Sequence, residues 1–469
     1  MKMNQTKKAV VALSAAVSLG GCGSLDVGDL DNVSLDDFRN NPTPSAVYTA
    51  ATGLIIGNRV GLGVQNGYVA ELGVIGREAF IFDGAEPRTV EELLGPTLDP
   101  GGPAFGGNFW SAPYANIRNA NTLLAAVDKV AGVTDGQKEG IRGFAKTMQA
   151  LDFLVVINTR DTNGAPIAVD LPLGQLAPIE SKEVVFNHIA SLLDQAATHL
   201  SAQGAAFPFK LTTGFEGDPN TTADDFSTPA TFLKFNRAIK ARVSVYQGNY
   251  TEALTALSQS FIDSSASADE AAKAAALVSL NRGVYHTFRA ASGDVDNGLL
   301  SLTIFAHPSI VTDADKQADG TTVDDRVTRK TRKLDEAATA ADGKLSSDLR
   351  FTMYTSNDSP IPLIRNEELI LLRAEANLGL NNFGAALDDI NYIRTVSGRL
   401  PAVTGLETRD AILNELLKQK RYSLLFEGGH RWIDMRRYGK LDELPRELDP
   451  SYGPHERFPI PAQETDGRK

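Results

Sequence analysis

The stretch that decides the fold is Glu367-Glu368-Leu369-Ile370-Leu371-Leu372-Arg373-Ala374-Glu375-Ala376-Asn377-Leu378-Gly379-Leu380-Asn381-Asn382-Phe383-Gly384-Ala385-Ala386-Leu387-Asp388-Asp389-Ile390-Asn391-Tyr392-Ile393. Leu369, Leu372 and Ala376 recur at helical spacing and predict a helix from Glu367 to Leu380. Asn381-Asn382 then makes a turn, and the pattern resumes around 385–393. The same arrangement occurs earlier. Phe232, Phe235, Ile239, Val243 and Tyr246 predict one helix, Gly248-Asn249-Tyr250 a turn, and 251–260 a second helix. Ala241, Tyr250, Ala253 and Leu254 return as Ala374, Phe383, Ala386 and Leu387, all at an offset of 133.

Small residues where two helices cross, with an aromatic just after the turn, are the pattern of tetratricopeptide (TPR) units of about 34 residues. The offset means the two units are not contiguous in sequence and carry a long insertion between them. Further helices are predicted at 112–130, 137–159, 181–200 with Ser181 as N-cap, and 408–426. Gly-, Pro- and Asp-rich stretches at 95–108, 201–231 and 311–348 read as long loops. No alternating apolar–polar run is long enough for a large sheet. The expected fold is therefore mainly α, with TPR-like helical hairpins as a scaffold and long irregular insertions. Loops of such length usually carry function.

Composition narrows the function. Among 469 residues, 42% are hydrophobic, enough for a sizeable core. The net charge of −12 repels phosphate backbones and argues against nucleic acid as a partner. The single cysteine excludes an intrachain disulfide and a cysteine-built zinc site. That cysteine stands where export chemistry uses one. Lys2, Lys7 and Lys8 precede an apolar stretch from Ala9 to Leu19, ending in Leu19-Gly20-Gly21-Cys22. The stretch is too short to span a bilayer but suits a secretory signal, and the small residues before Cys22 resemble a bacterial lipobox. The expectation is a signal peptide at 1–21, a lipidated Cys22, an acidic tether over 22–44, and one helical domain over 45–469.

The C-terminal third adds specific motifs. Pro360-Ile361-Pro362-Leu363-Ile364-Arg365-Asn366-Glu367-Glu368-Leu369 is followed by Leu372-Arg373-Ala374-Glu375-Ala376 and Asp389-Ile390-Asn391-Tyr392-Ile393-Arg394. Then come Lys420-Arg421-Tyr422-Ser423-Leu424-Leu425-Phe426-Glu427-Gly428-Gly429-His430-Arg431-Trp432-Ile433-Asp434-Met435-Arg436-Arg437 and the closing Phe458-Pro459-Ile460-Pro461 with Glu464. Weaker matches in order include Asn116-Ile117-Arg118-Asn119-Ala120-Asn121, Phe144–Ala150 and Asp325-Arg326. Together with the lipobox, these resemble the SusD/RagB family of outer-membrane nutrient-binding lipoproteins. The resemblance implies a cell-surface protein, lipid-anchored to the outer membrane. It would bind a nutrient, an oligosaccharide in the first place or a peptide, and deliver it to a SusC-like TonB-dependent transporter. The rival readings are a TPR scaffold lipoprotein binding other proteins and a surface hydrolase.

Lys420 and Arg421 interrupt the apolar face marked by Leu413, Leu416, Leu417 and Leu424. Buried cations need partners, and Glu375, Glu427 and Asp434 are available, so the charges of 415–437 read as a structural clamp. No HExxH, GxxxxGK[ST], GxSxG or cysteine pair is present, the six histidines lack metal-ligand spacing, and Gly61-Leu62-Gly63 lacks the context of a phosphate loop. Asp313, Asp315 and Asp319 fall short of an EF-hand because the fifth position of the loop is Gln317 and the sixth is Ala318. These patterns lead to no enzyme, no cofactor and no metal. The resemblance implies a ligand platform of aromatics on loops of the N-terminal half and a later insertion. The matching neighbourhood holds Tyr68, Arg77, Phe80, Phe82, Asn108, Phe109 and Trp110, with Phe305 as a second wall. Only Trp110 and Trp432 are tryptophans, which sets the chain apart from starch-type members.

Overall fold

The helix α1 (Pro44–Arg59) starts at Thr43, whose hydroxyl accepts from the Ala46 amide, with Pro44 at a position where its missing N–H costs nothing. The computed structural model describes residues 35–101, 105–172, 174–202, 206–216, 225–265, 273–289 and 294–469; Cys22 and the signal segment lie outside them. After α1 come α2 (Tyr68–Ile75), α3 (Ser111–Lys129), α4 (Asp135–Arg160) and α5 (Lys182–Ser201). Ser181 caps α5 as its sequence position foretold, accepting from the Val184 amide. The first hairpin is α6 (Pro229–Tyr246) and α7 (Tyr250–Ser258); the second is α8 (Asn366–Gly379) and α9 (Phe383–Val396). Helices α10 (Arg409–Ser423) and α11 (His430–Arg437) follow. The fold is mainly α, as the periodicity implied.

The two hairpins repeat each other down to the turn. Gly248 and Asn381, 133 apart, both take the left-handed conformation, with φ of 74° and 62°. The Asn249 amide donates to the Ser244 carbonyl and the Asn382 amide to the Asn377 carbonyl, each at 2.8 Å. Although separated in sequence, the hairpins are neighbours in space. The helices from α3 to α7 pack each on the next, α7 packs on α8, and α9 and α10 close the stack. Tyr250, the aromatic after the first turn, lies against Gly379, where a Cβ would overlap its ring. The insertion thus leaves the stack without breaking it.

Among the described residues, three two-stranded antiparallel sheets accompany the helices. They pair β1 (Ala79–Ile81) with β3 (Ile304–Ala306), β2 (Gly283–His286) with β6 (Ile361–Arg365), and β4 (Thr331–Thr339) with β5 (Ser346–Phe351). The stretch 311–348 is therefore not a plain loop: it holds a helix at Asp325–Lys330 and most of the last sheet. Its strands escaped notice because β4 is largely exposed and carries no alternating apolar pattern. The end of the stretch read as a tether also has structure. Leu35–Asn40 is a short helix whose Phe38 packs on the apolar core shared by α1 and the helices from α3 to α7, and Lys129 of α3 donates to the Arg39 carbonyl.

The charges of the C-terminal motif form the clamp that their positions implied. Lys420 bonds Glu375 and Asp434 at 2.7 Å each, and Arg437 bonds the same two carboxylates at 2.8 and 2.9 Å. Burial alone would push the Glu375 carboxyl up, but Arg437 and Lys420 hold it down at about 2. Glu427 binds Lys330 and Arg365, tying the Asp325–Lys330 helix and β6 to the end of α10. Arg421 reaches Asp313, a partner outside the expected set. The closing segment returns to the N-terminal half, where the Phe458 amide donates to the Thr159 carbonyl at the end of α4.

Candidate functional site

The last turn of α1 and the glycine-rich stretch after it form one side of a cleft. Gly57 is required there, because a Cβ would collide with the Asn116 amide of α3. The close approach lets three elements converge on Asp152 of α4: Asn58 Nδ2 donates to Oδ1 at 2.6 Å, and Asn116 Nδ2 to Oδ2 at 2.8 Å. Asn58 Oδ1 in turn accepts from His286 Nε2 at 2.9 Å, which places the ring proton on that nitrogen. Burial pushes the Asp152 carboxyl up to about 8 and the His286 imidazole down to about 3, so at neutral pH both are predominantly uncharged.

Above this network lies a cavity of about 410 Å³. Asn58, Val60, Leu62, Val64 and Asn66 line it from the first side, Tyr68 from the start of α2, and Asn108, Phe109 and Ser111 from the lead into α3. Asn108 Nδ2 donates to Glu71 Oε1 at 2.8 Å, and its carbonyl accepts from Arg160 at 2.6 Å, which fixes the loop that carries Phe109. Phe109, half-buried with φ of 60°, meets Tyr68 edge to face at 5.4 Å. A smaller cavity of about 70 Å³ shares Asn58, Leu62, Tyr68 and Val155 with the first. Carboxamides beside aliphatic and aromatic surface can hydrogen-bond hydroxyls in both directions and cover the apolar faces of sugar rings.

The residues expected to form one platform are divided by the structure. Tyr68 and Asn108, with Phe109, line the main cavity. Trp110 is only 6% exposed, packs on Tyr114 at 4.9 Å, lies under Arg160 and borders a different cavity of about 310 Å³. Arg77 is 1% exposed and is consumed by Ile75 and Pro445 carbonyls and Glu447; it is a structural tie and not a ligand donor. Phe80, Phe82 and Phe305 come together as a stack across the β1–β3 pair, with Phe82 5.4 Å from Phe80 and 5.3 Å from Phe305. Phe80 and Phe305 are buried, and none of the three lines the main cavity, so Phe305 is a layer of packing and not a facing wall. Asn58, Asn66 and Asp152 were missed. Their one signal was the recurrence of glycine through 57–67, which marks close backbone approach. The acidic residues weighed for calcium are engaged: Asp313 with Arg421, Asp315 with Arg394 and Lys418, and Asp319 with Thr322.

Residues 341–465 match the SusD family. A solved SusD-like carbohydrate-binding protein of Bacteroides fragilis superposes with a TM-score of 0.67 at 15% identity, covering 92% of this chain and 99% of that one. A SusD superfamily protein of Bacteroides vulgatus gives 0.64 at 15%, covering 92% and 97%. A solved laminarin-binding SusD-like protein gives 0.62 at 17%, covering 91% and 98%. A SusD-like protein of Formosa agariphila is 32% identical over 119 residues, a match that spans 22% of this chain and only 24% of that relative's length. The chain has a SusD-like fold, and its residues 341–465 resemble the SusD family where the C-terminal motifs implied it. Among the described residues, no helix is long and apolar enough to cross a membrane.

Proposed function

We propose that this chain is a cell-surface lipoprotein, anchored in the outer membrane through Cys22. In this reading it binds an oligosaccharide without cleaving it and delivers it to a SusC-like TonB-dependent transporter. The observation that carries this reading is the cleft of Asn58, Asn66, Tyr68, Asn108 and Phe109 on a SusD-like scaffold. It offers hydroxyl-binding carboxamides and apolar cover together. A glycosidase needs two carboxyl groups at a set separation across the scissile bond. Among the described residues lining this cavity, Asp152 is the single carboxyl, and both its oxygens are occupied by amides. That favours binding over hydrolysis.

Calorimetry of the detergent-extracted protein against an oligosaccharide panel tests the site. Asn66→Ala should weaken binding by about 1 kcal/mol, the usual worth of a neutral hydrogen bond. Unchanged affinity in Asn66→Ala and in a Phe109→Ala variant would remove the cleft from recognition. Gentle detergent extraction of outer membranes should bring down a large β-barrel with the chain; recovery of soluble proteins alone would favour a protein-binding scaffold.

A further inference from the structure

The cleft's electrostatic character sets the class of ligand more narrowly than its shape does. Among the described residues, no Lys, Arg or His lines the cavity of about 410 Å³. The nearest cation in sequence, Arg59 beside Asn58, is 6% exposed and committed to the Thr287 carbonyl and Asp294. Arg160, behind Asn108, is 0% exposed and bonded to backbone carbonyls and Thr159. Arg242, in the smaller adjoining cavity, is held by both oxygens of Glu368. The carboxyl under the floor, Asp152, is saturated by two carboxamide donors. Val60, Val64 and Ser111 are the exposed residues that line it, so the rim is uncharged.

We propose that this cleft accepts an uncharged glycan segment, read through its hydroxyls by Asn66, Asn108 and neighbouring backbone, and excludes sulfated or uronate-bearing chains. This rests on the oligosaccharide-binding reading of the same cleft. A sulfate or carboxylate entering would give up its hydration without meeting a cation, and buried charges are tolerated when paired. Anion recognition is ordinarily built from Arg or Lys forks, and here Arg59, Arg160 and Arg242 are each engaged within the protein. Hydroxyls, which both donate and accept, match carboxamides without a charge. The volume lies near the lower end of the range of about 300–1,000 Å³ for small-molecule sites, which suits a short segment of chain. The acidic net charge of −12 adds a long-range bias against polyanions.

The test uses the full detergent-extracted protein and matched probes: hexose-only oligosaccharides of defined linkage, and the same oligosaccharides oxidised to C6 carboxylates. Titration at neutral pH should show binding to at least one neutral oligomer and at least about tenfold weaker binding to its carboxylated partner. Val64→Arg puts a cation at an exposed rim position without touching the core; it should recover affinity for the carboxylated probe and lose that gain in high salt. Equal or tighter binding of the carboxylated probe to the unmodified protein, abolished by Asn66→Ala, would overturn the neutral-ligand inference and leave the glycan-binding reading standing. Binding of neither probe series, or binding indifferent to both cleft substitutions, would overturn both.

Discussion

At the scale of single residues, the structure packs Trp110 largely into the core, at the edge of a second cavity and away from the main cleft. Its ring supports Tyr114 and sits beneath the Arg160 guanidinium. Trp110→Ala should therefore destabilise the fold by about 3–5 kcal/mol, visible as an early transition in a denaturant melt without ligand. A melt equal to that of the unmodified protein would return Trp110 to the surface. Asp152 makes a pH prediction. Its carboxyl stays protonated in the fold up to about 8 and ionises near 3.8 when unfolded, so stability is lost as pH rises across that window. His286 acts in the opposite sense: neutral in the fold down to about 3, it disfavours the fold as pH drops below its unfolded value of 6.5. Above pH 6.5 the histidine no longer contributes, and Asp152 should cost about 2 kcal/mol by pH 8. Glu78, buried and also pushed up to about 8, adds a slope of the same sign. Melting temperature should fall from pH 6.5 to 8, and Asp152→Asn should make that fall shallower. An unchanged slope in the variant would show that Asp152 titrates normally.

At the scale of elements, the junction between α7 and α8 decides whether two distant segments behave as consecutive repeats. Tyr250 occupies the notch that Gly379 leaves open. Gly379→Ala should gain a little from helix propensity but lose more by overlap, for a net destabilisation of about 1–3 kcal/mol. Tyr250→Ala should make the second substitution nearly harmless, so a double-mutant cycle should report strong coupling. Additive effects would mean that the hairpins do not rest on this contact. The helical hairpins were legible because their apolar spacing, alanine crossings and turn asparagines are local signals. The β4–β5 hairpin was not, since β4 is largely exposed and carries no alternating apolar pattern to mark it as a strand.

At the scale of the whole molecule, the anchor and the scaffold are separate questions. If Cys22 carries the lipid, Cys22→Ser should move the chain out of the detergent phase or leave it unprocessed, while its melting temperature stays the same. Equal detergent partitioning of variant and parent would refute the anchor. The scaffold has its own closure. The α10–α11 charges, Glu375 of α8 and the returning segment near Phe458 bind the C-terminal motifs to both hairpin and N-terminal helices. Glu375, Glu427 and Asp434 could be named as partners beforehand because a buried cation on an apolar helix face must be neutralised, whichever way the chain runs. Asp313 could not, because nothing in its own neighbourhood says that a helix will arrive beside it.

The amino-acid sequence by itself therefore determined most of the helices, the repeated hairpin and the buried clamp, since each is written in periodicity or in the demand that buried charge be paired, while the C-terminal motifs carried the family resemblance; the helices α1, α2 and α11 were not foreseen. Tertiary structure alone decided the cleft. Asn58 and Asn66, Asn108, and Asp152 come from three separate segments and carry no periodic signal. They meet only because Gly57 lets α1 approach α3 and because the packing of α3 on α4 brings Asn116 and Asp152 together. Of the aromatics that looked like a platform, Tyr68 and Phe109 line the cleft, whereas Phe80, Trp110 and Phe305 were drawn inward: large apolar rings gain most from burial, so composition marks them as core as readily as it marks them as a site.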